Sequence, residues 1–241
     1  MDPRFRVDVI TATPNPQQCV WAAMHQDYSE WYVFDDRAAW PDETRAGEIC
    51  VKRLLAGERG HYGPLEHAQI VLNVGWFPHS VMQQARTHRV GVSFDVQSLR
   101  YTGARICRAA RGELELEEVF YLRPVGDYTD RLGKRYAYTA DQREIDWQHC
   151  RAAAERYHDL LLAGFAEEHA RGILPFDVRQ HFVVSFSLRA LLHFLDLRAK
   201  ADAQLEIRQL CDLIWPHLQA WAPEIAAWYE KTRLHRARLA P

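Results

Sequence analysis

A chain of 241 residues, 48% hydrophobic and 26% charged, is long enough to bury a sizeable core and excludes a disordered or fibrous protein. The formal net charge of −2 excludes a general nucleic-acid-coating surface, so an anion site has to come from local clustering of arginines. No apolar run approaches the roughly 18 residues that a membrane span needs, and MDPRFRVDVITATP holds no apolar core of signal-peptide length, so the expected compartment is the cytoplasm.

In chain order, Phe5 to Ile10 reads as a strand, followed by the Pro14-Asn15-Pro16 turn and a short helix around Cys19 to His25. The aromatic segment Trp31 to Trp40 leads to a helix predicted from Asp42 to Ala56, which ends in a glycine-punctuated loop. Gln69 to Trp76 alternates, with Ile70, Leu72, Val74 and Trp76 on one side of a half-buried strand. Pro78 opens a helix with Val81, Met82, Ala85 and His88 on an apolar face and Gln83 and Arg86 on another. The chain turns at Gly91 and is read as extended, so that Ser98 and Arg100 project to one side. Glu113 to Leu122 reads as a further strand, stopped by Pro124 and Gly126. Asp141 to about Arg171 reads as one helix of roughly 30 residues, about 45 Å long. Its stripe of Ile145, Cys150, Ala154, Tyr157, Leu161 and Phe165 is expected to face a core. Pro175 breaks it, and helices are predicted from about Val178 to Leu195 and from about Ala203 to Trp215. The expected class is α+β or irregular α/β, in one continuous domain over 1–241.

Chemistry gathers in three segments. The first, QQARTHRVGVSFDVQSLRY from Gln83 to Tyr101, holds Arg86, His88, Arg89, Ser98 and Arg100. Guanidinium forks suit a phosphate, and amide and hydroxyl groups suit a base or ring. Arginines at a helix end beside a turn are equally a solvated surface, and spacing alone leaves both readings open. The second, Gly57 to His67, spaces Gly57, Gly60 and Gly63 so that backbone amides can approach a ligand. It is neither a P-loop nor a dinucleotide fingerprint, and a structural turn is the plainer reading. The third, Arg171 to Gln204, interrupts the core stripe Leu188, Leu191, Leu192 and Leu195 with Arg189, His193 and Arg198. A lone arginine on such a helix usually reaches for water.

Cys19, Cys50, Cys107, Cys150 and Cys211 are scattered, with no Cys-x-x-Cys pair. Neither a metal site nor a disulfide framework is suggested, and the expectation is small buried hydrophobes in a reducing compartment.

The three segments resemble the ThyX-type flavin-dependent thymidylate synthases. That family's signature is usually Arg-His-Arg, then Ser, then Ser-x-Arg-Tyr. Here Arg86-Thr87-His88-Arg89 carries one extra residue, and Ser93, Ser98, Arg100 and Tyr101 follow in place, with Asp95-Val96 where Asn-Glu is usual. His61, Pro64, Glu66 and His67 match the His-x-Thr-Pro-x-Glu-His loop, with Gly63 at its threonine, and Asp27-Tyr28-Ser29 is a weaker match. Arg171, Arg189, His193 and Arg198 match the C-terminal block, with Ser187 where an asparagine is common.

The resemblance implies a homotetramer with a ThyX-like fold, long helices beside a central sheet, and sites where subunits meet. It implies reductive methylation of dUMP to dTMP, with methylenetetrahydrofolate as carbon donor, FAD as mediator and NADPH as reductant. Gln83, Arg86, Ser98, Arg100, Arg171 and Arg198 would bind the nucleotide, Arg198 being the catalytic residue at the uracil ring. Ser29, His61, Gly63, Glu66, Arg86, His88, Arg89, Asp95, Ser187, Arg189 and His193 would surround FAD. Neither a metal, a nucleic acid nor a membrane is implied. The flavin-free thymidylate synthases attack uracil with a cysteine in a Pro-Cys-His context. His149-Cys150-Arg151 lacks that proline, so no cysteine nucleophile is expected here. Three alternatives stand beside this reading: a UMP methylase of nucleoside-antibiotic synthesis, a non-catalytic nucleotide sensor, and an RNA-binding module. The last is disfavoured by the lack of basic runs interleaved with aromatics.

Overall fold

A computed structural model of the chain describes residues 1–57 and 60–236; Glu58 and Arg59 of the glycine loop lie outside them. Strand β1 (Arg6–Ala12) leads to helix α1 (Pro16–Gln26), entered through Asn15 in the left-handed region with Pro16 at its start. Helix α2 (Glu43–Cys50) begins on Asp42, whose carboxylate accepts the Arg45 amide at 2.8 Å. It runs on into a wider π turn, Val51–Leu55, so the helix expected from 42 to 56 is present. Strand β2 (Gln69–Pro78), α3 (His79–Ala85), β3 (Val92–Val96), α4 (Leu99–Thr102) and α5 (Ala104–Ala110) follow. Then come β4 (Gly126–Thr129), β5 (Arg135–Tyr138), α6 (Ala140–Leu162) and α7 (Glu167–Ala170). The chain continues with β6 (Arg179–Ser187), α8 (Leu188–Arg198), α9 (Leu205–Trp221) and α10 (Pro223–Thr232). Four strands are hydrogen-bonded in the order β1-β2-β6-β3, and β4 pairs antiparallel with β5.

Several expectations are corrected. The segment from Val178 is not helical at first: Val183, Val184, Phe182 and Phe186, β-branched and aromatic, lie in β6, and Ser187 then caps α8. Glu113 to Leu122 is not a strand. It holds a short 3-10 turn, Leu116–Glu118, and a single antiparallel bridge from Phe120 to Val178. Val119 to Leu122 are all buried, and continuous burial without a ladder mimics a strand's composition. Helix α6 stops after 23 residues, because Gly164 turns the chain at φ 83°. Cys150, Ala154 and Tyr157 are buried as expected, but Ile145 and Phe165 are 64% and 46% exposed. Pro78 closes β2 instead of opening a helix, and α3 ends before His88. Within β2, Trp76 adopts φ 72°, which breaks the alternation, and Phe77 is buried where the pattern assigned Trp76.

The chain divides into two compact units. The first comprises Met1–Arg6, Val74–Ala85 and Asp95–Phe182. Its core joins Ile106, Val119, Phe120, Ala154, Tyr157 and Val178, with α5 packed on α6. Arg179, fully buried there, donates to the carbonyls of Glu117 and Trp76 and to the Asp2 carboxylate, so its charge is paired. The second unit comprises Val7–Asn73, Arg86–Phe94 and Val183–Pro241, with α1 packed on α2, and α9 on α8 and α10. Its core holds Val20, Cys50, Leu65, Leu191, Leu192, Ile207 and Ile214. Among the described residues no helix is long and apolar enough to cross a membrane.

Candidate active site

In the second unit, α8 is the element on which the separated segments meet. Its first turn is fixed by Ser187, whose Oγ accepts the Ala190 amide at 3.2 Å. The Gly91 carbonyl accepts the Ser187 amide at 2.8 Å. Gly91 has φ +67°, and a Cβ there would lie 2.5 Å from Ser187 Oγ, so the turn requires glycine both for its backbone and for its closeness to α8. Ser187, at the family's asparagine position, is buried, and its Oγ is the acceptor of that cap.

In that same first turn, Arg189 Nη1 meets Glu66 Oε1 at 2.6 Å, from the 3-10 turn Gly63–Glu66. Among the described residues, nothing lies within 4 Å of where a Gly63 side chain would start, so that backbone faces open space. In the same loop His61 Nε2 pairs with Asp27 Oδ2 at 2.8 Å. Ser29 Oγ donates to the Trp31 carbonyl at 3.0 Å and accepts its amide at 3.1 Å. A cavity of about 460 Å³ opens beside His61, lined by Trp21, His25, Tyr28 and Arg53 among others. Arg86 and Arg89 are exposed.

At the C-terminal end of α8, Arg198 donates from Nε to His88 Nε2 at 3.0 Å and from Nη2 to Thr87 Oγ1 at 2.9 Å. His88 is 6% exposed, and its ring lies 5.3 Å from that of His193 and 5.1 Å from that of Phe194. Burial, then the neighbouring Arg198 and His193, push its pKa down to about 4. This predicts a pH-dependent stability. Between its ordinary 6.5 and about 4, the unfolded chain binds the proton that folded His88 refuses. The contribution is therefore complete above the upper value and lost as pH falls through that window, roughly 3 kcal/mol in all. Urea midpoints measured from pH 7 to pH 4 should show that slope, and His88→Gln should flatten it.

In the first unit, Ser98 and Arg100 are not on an extended segment, as expected from the sequence. Ser98 caps α4, its Oγ accepting the Arg100 amide at 3.4 Å, because a serine before a helical turn satisfies the free amides. Arg100 Nε lies 3.5 Å from Glu168 Oε2. Arg171 opens the exposed 3-10 turn Arg171–Ile173, and Asp95 is exposed on β3. Gln83 donates from Nε2 to His79 Nε2 at 2.7 Å, and His79 Nδ1 donates to Gln180 Oε1 at 3.0 Å. His79 and Gln180 were missed from the sequence; the four-residue spacing of His79 and Gln83 on one helix was the available clue.

The thiols are poor nucleophiles. Burial pushes Cys19 and Cys107 up, Cys50 to about 12 and Cys150 to about 11, and raises buried Cys211 further.

A family model described as Thymidylate synthase complementing protein matches residues 8–224. Flavin-dependent thymidylate synthases of Halobacterium salinarum and Haloarcula marismortui are each 34% identical to the chain, over 98% of it and over 100% and 99% of their own lengths. The chain belongs to the flavin-dependent thymidylate synthase family. Its fold agrees with solved structures at low identity. A UMP/dUMP methylase, PolB, from Streptomyces cacaoi bound with 5-Br dUMP superimposes with a TM-score of 0.75 at 20% identity, covering 98% of this chain and 97% of that one. Thymidylate synthase X from Helicobacter pylori with FAD and dUMP gives 0.70 at 17%, covering 94% and 98%. The shared architecture is a central sheet with flanking helices. Within the flavin-dependent thymidylate synthases, two departures of this chain now have a structural setting: Ser187 serves as a helix cap, and the extra Thr87 binds Arg198.

Proposed function

We propose that the chain acts as one flavin-dependent thymidylate synthase domain, methylating dUMP reductively to dTMP with methylenetetrahydrofolate as carbon donor, FAD as mediator and NADPH as reductant. The observation that carries the reading is the meeting of three separated sequence blocks on α8: Glu66 on Arg189, and Thr87 and His88 on Arg198. The residues present fit FAD. Exposed Arg86 and Arg89 match a pyrophosphate, the Gly63 backbone faces open space, and the aromatic walls beside His61 accept a planar ring. Bound FAD would supply the methylene transfer and the hydride.

The chain's own residues supply position and charge. Ser29, His61, Gly63, Glu66, Asp95, Arg189 and His193 join Arg86, His88 and Arg89 in holding the flavin. Gln83, Arg86, Ser98, Arg100 and Arg171 hold the nucleotide phosphate. Arg198 stabilises the negative charge that develops on the uracil when N3 ionises and C5 becomes nucleophilic. A fixed cation beside a developing anion is worth several kcal/mol, on the scale of about 3 for one oxyanion-hole contact. A homotetramer with sites at subunit contacts, in the cytoplasm, completes the reading; the exposure of Arg100 and Arg171 supports the contribution of a neighbouring chain.

The purified protein is expected to be yellow, to hold roughly one FAD per chain, one flavin site per family domain, and to bleach with NADPH in the presence of dUMP. Protein that stays colourless after FAD addition would instead be a nucleotide sensor. Val96, where the family has glutamate, favours testing UMP beside dUMP: faster methylation of UMP would make the chain a UMP methylase.

A further inference from the structure

We propose that Thr87 and His88 are positioning residues that fix the guanidinium of Arg198 against the pyrimidine. The inference rests on the reading of Arg198 given above and concerns what holds it. Arg198 is the last residue of α8. Its Nε and Nη2 form one side edge of the guanidinium, and the two consecutive residues accept from that edge at 3.0 and 2.9 Å. Two bonds to one edge of the guanidinium fix the rotation of its plane as well as its place.

The acceptors differ in kind. An arginine can only donate, so His88 Nε2 carries a lone pair and its proton sits on Nδ1. His88 is itself held: it is buried, with Phe194 and His193 of α8 packed on its ring. The helix that carries Arg198 thus also clamps the acceptor of Arg198. Thr87 is exposed and contributes a hydroxyl. It is the residue by which this chain's signature exceeds Arg-His-Arg, so the insertion adds a second hold on Arg198.

The test is Thr87→Val, which keeps the shape and removes the acceptor, read by single-turnover oxidation of pre-reduced flavin at saturating dUMP and folate. The rate should fall about 10-fold, the scale of one hydrogen bond to a charged group, with dUMP affinity by calorimetry and melting temperature unchanged. Thr87→Ser should restore it, and on an Arg198→Ala background Thr87→Val should have no further effect. His88→Gln, which keeps an acceptor, should retain more rate than His88→Leu at matched melting temperature. Without flavin or substrate, ¹⁵N spectra should show a protonated Nδ1 and bare Nε2 on His88, and Arg198→Ala should shift the Nε2 signal. A wild-type rate in Thr87→Val, or the same loss with Arg198 absent, overturns the proposal. If Arg198→Ala itself keeps the wild-type rate, the role given to Arg198 fails; if Arg198→Ala is slow and Thr87→Val is not, only the positioning role fails.

Discussion

Arg198→Ala should fold, bind flavin and lose about 10²-fold or more in single-turnover rate, the scale of removing one transition-state contact. On the proposed role the loss is expected in rate, because the negative charge assigned to Arg198 is absent from ground-state uracil and grows only as N3 ionises. Arg198→Lys keeps the charge but replaces the planar fork with a single ammonium. An ammonium cannot donate from two fixed nitrogens to His88 and Thr87, so only part of the rate should return. Arg171→Ala should behave differently: a phosphate is held equally in ground and transition states, so nucleotide affinity should weaken first. Single-turnover kinetics at saturating dUMP and folate separate the two variants. A wild-type rate for Arg198→Ala would remove Arg198 from the catalytic machinery.

Asp196→Ala should give the largest loss of stability, about 3–5 kcal/mol. Asp196 is 2% exposed, and each of its oxygens is engaged. Oδ1 accepts the Tyr229 hydroxyl at 2.7 Å and Arg233 Nε at 3.3 Å, while Oδ2 accepts Arg233 Nη2 at 2.5 Å. The pairing joins α8 to α10 and the residue just beyond it, with Tyr229 fully buried. Burial and the neighbouring carboxylate hold the Tyr229 hydroxyl protonated, its pKa raised, so it stays a donor. Removing the carboxylate takes from Arg233, 7% exposed, the ion pair it makes with α8. Asp196→Leu with Arg233→Met removes both charges together and should recover most of the loss, since a well-packed apolar pair can match a buried ion pair. Urea unfolding with matched slopes gives the comparison; a cost below about 1 kcal/mol for Asp196→Ala would place the pair among surface-like interactions.

The candidate site was legible where its chemistry is local in the chain. Arg86 to Arg89, the Gly63–Glu66 turn and the arginines of the last block stand at recognisable spacings, and the family they resemble matches over 8–224. Asp42 and Pro16 start their helices through their own side chains, and the alternation of Ile70, Leu72 and Val74 is the burial observed in β2. The same reading failed where local pattern and tertiary surroundings disagree. Val178 to Leu195 is apolar nearly throughout, so periodicity could not divide it, and the division at Ser187 into β6 and α8 comes from pairing in the sheet.

By itself, then, the sequence determined the family, the inventory of charged groups and the lack of any Cys-x-x-Cys pair. Each depends on which residues are present and on short spacings. Only the tertiary structure decided the partners: that Arg198 meets His88, 110 positions away, that Asp196 in an apolar run is the centre of a buried ion pair, and that Ser187 caps α8. No periodicity along the chain encodes such contacts. They form because burying a charge or a lone pair is costly until a complementary group arrives, and the group that arrives is chosen by how the helices pack.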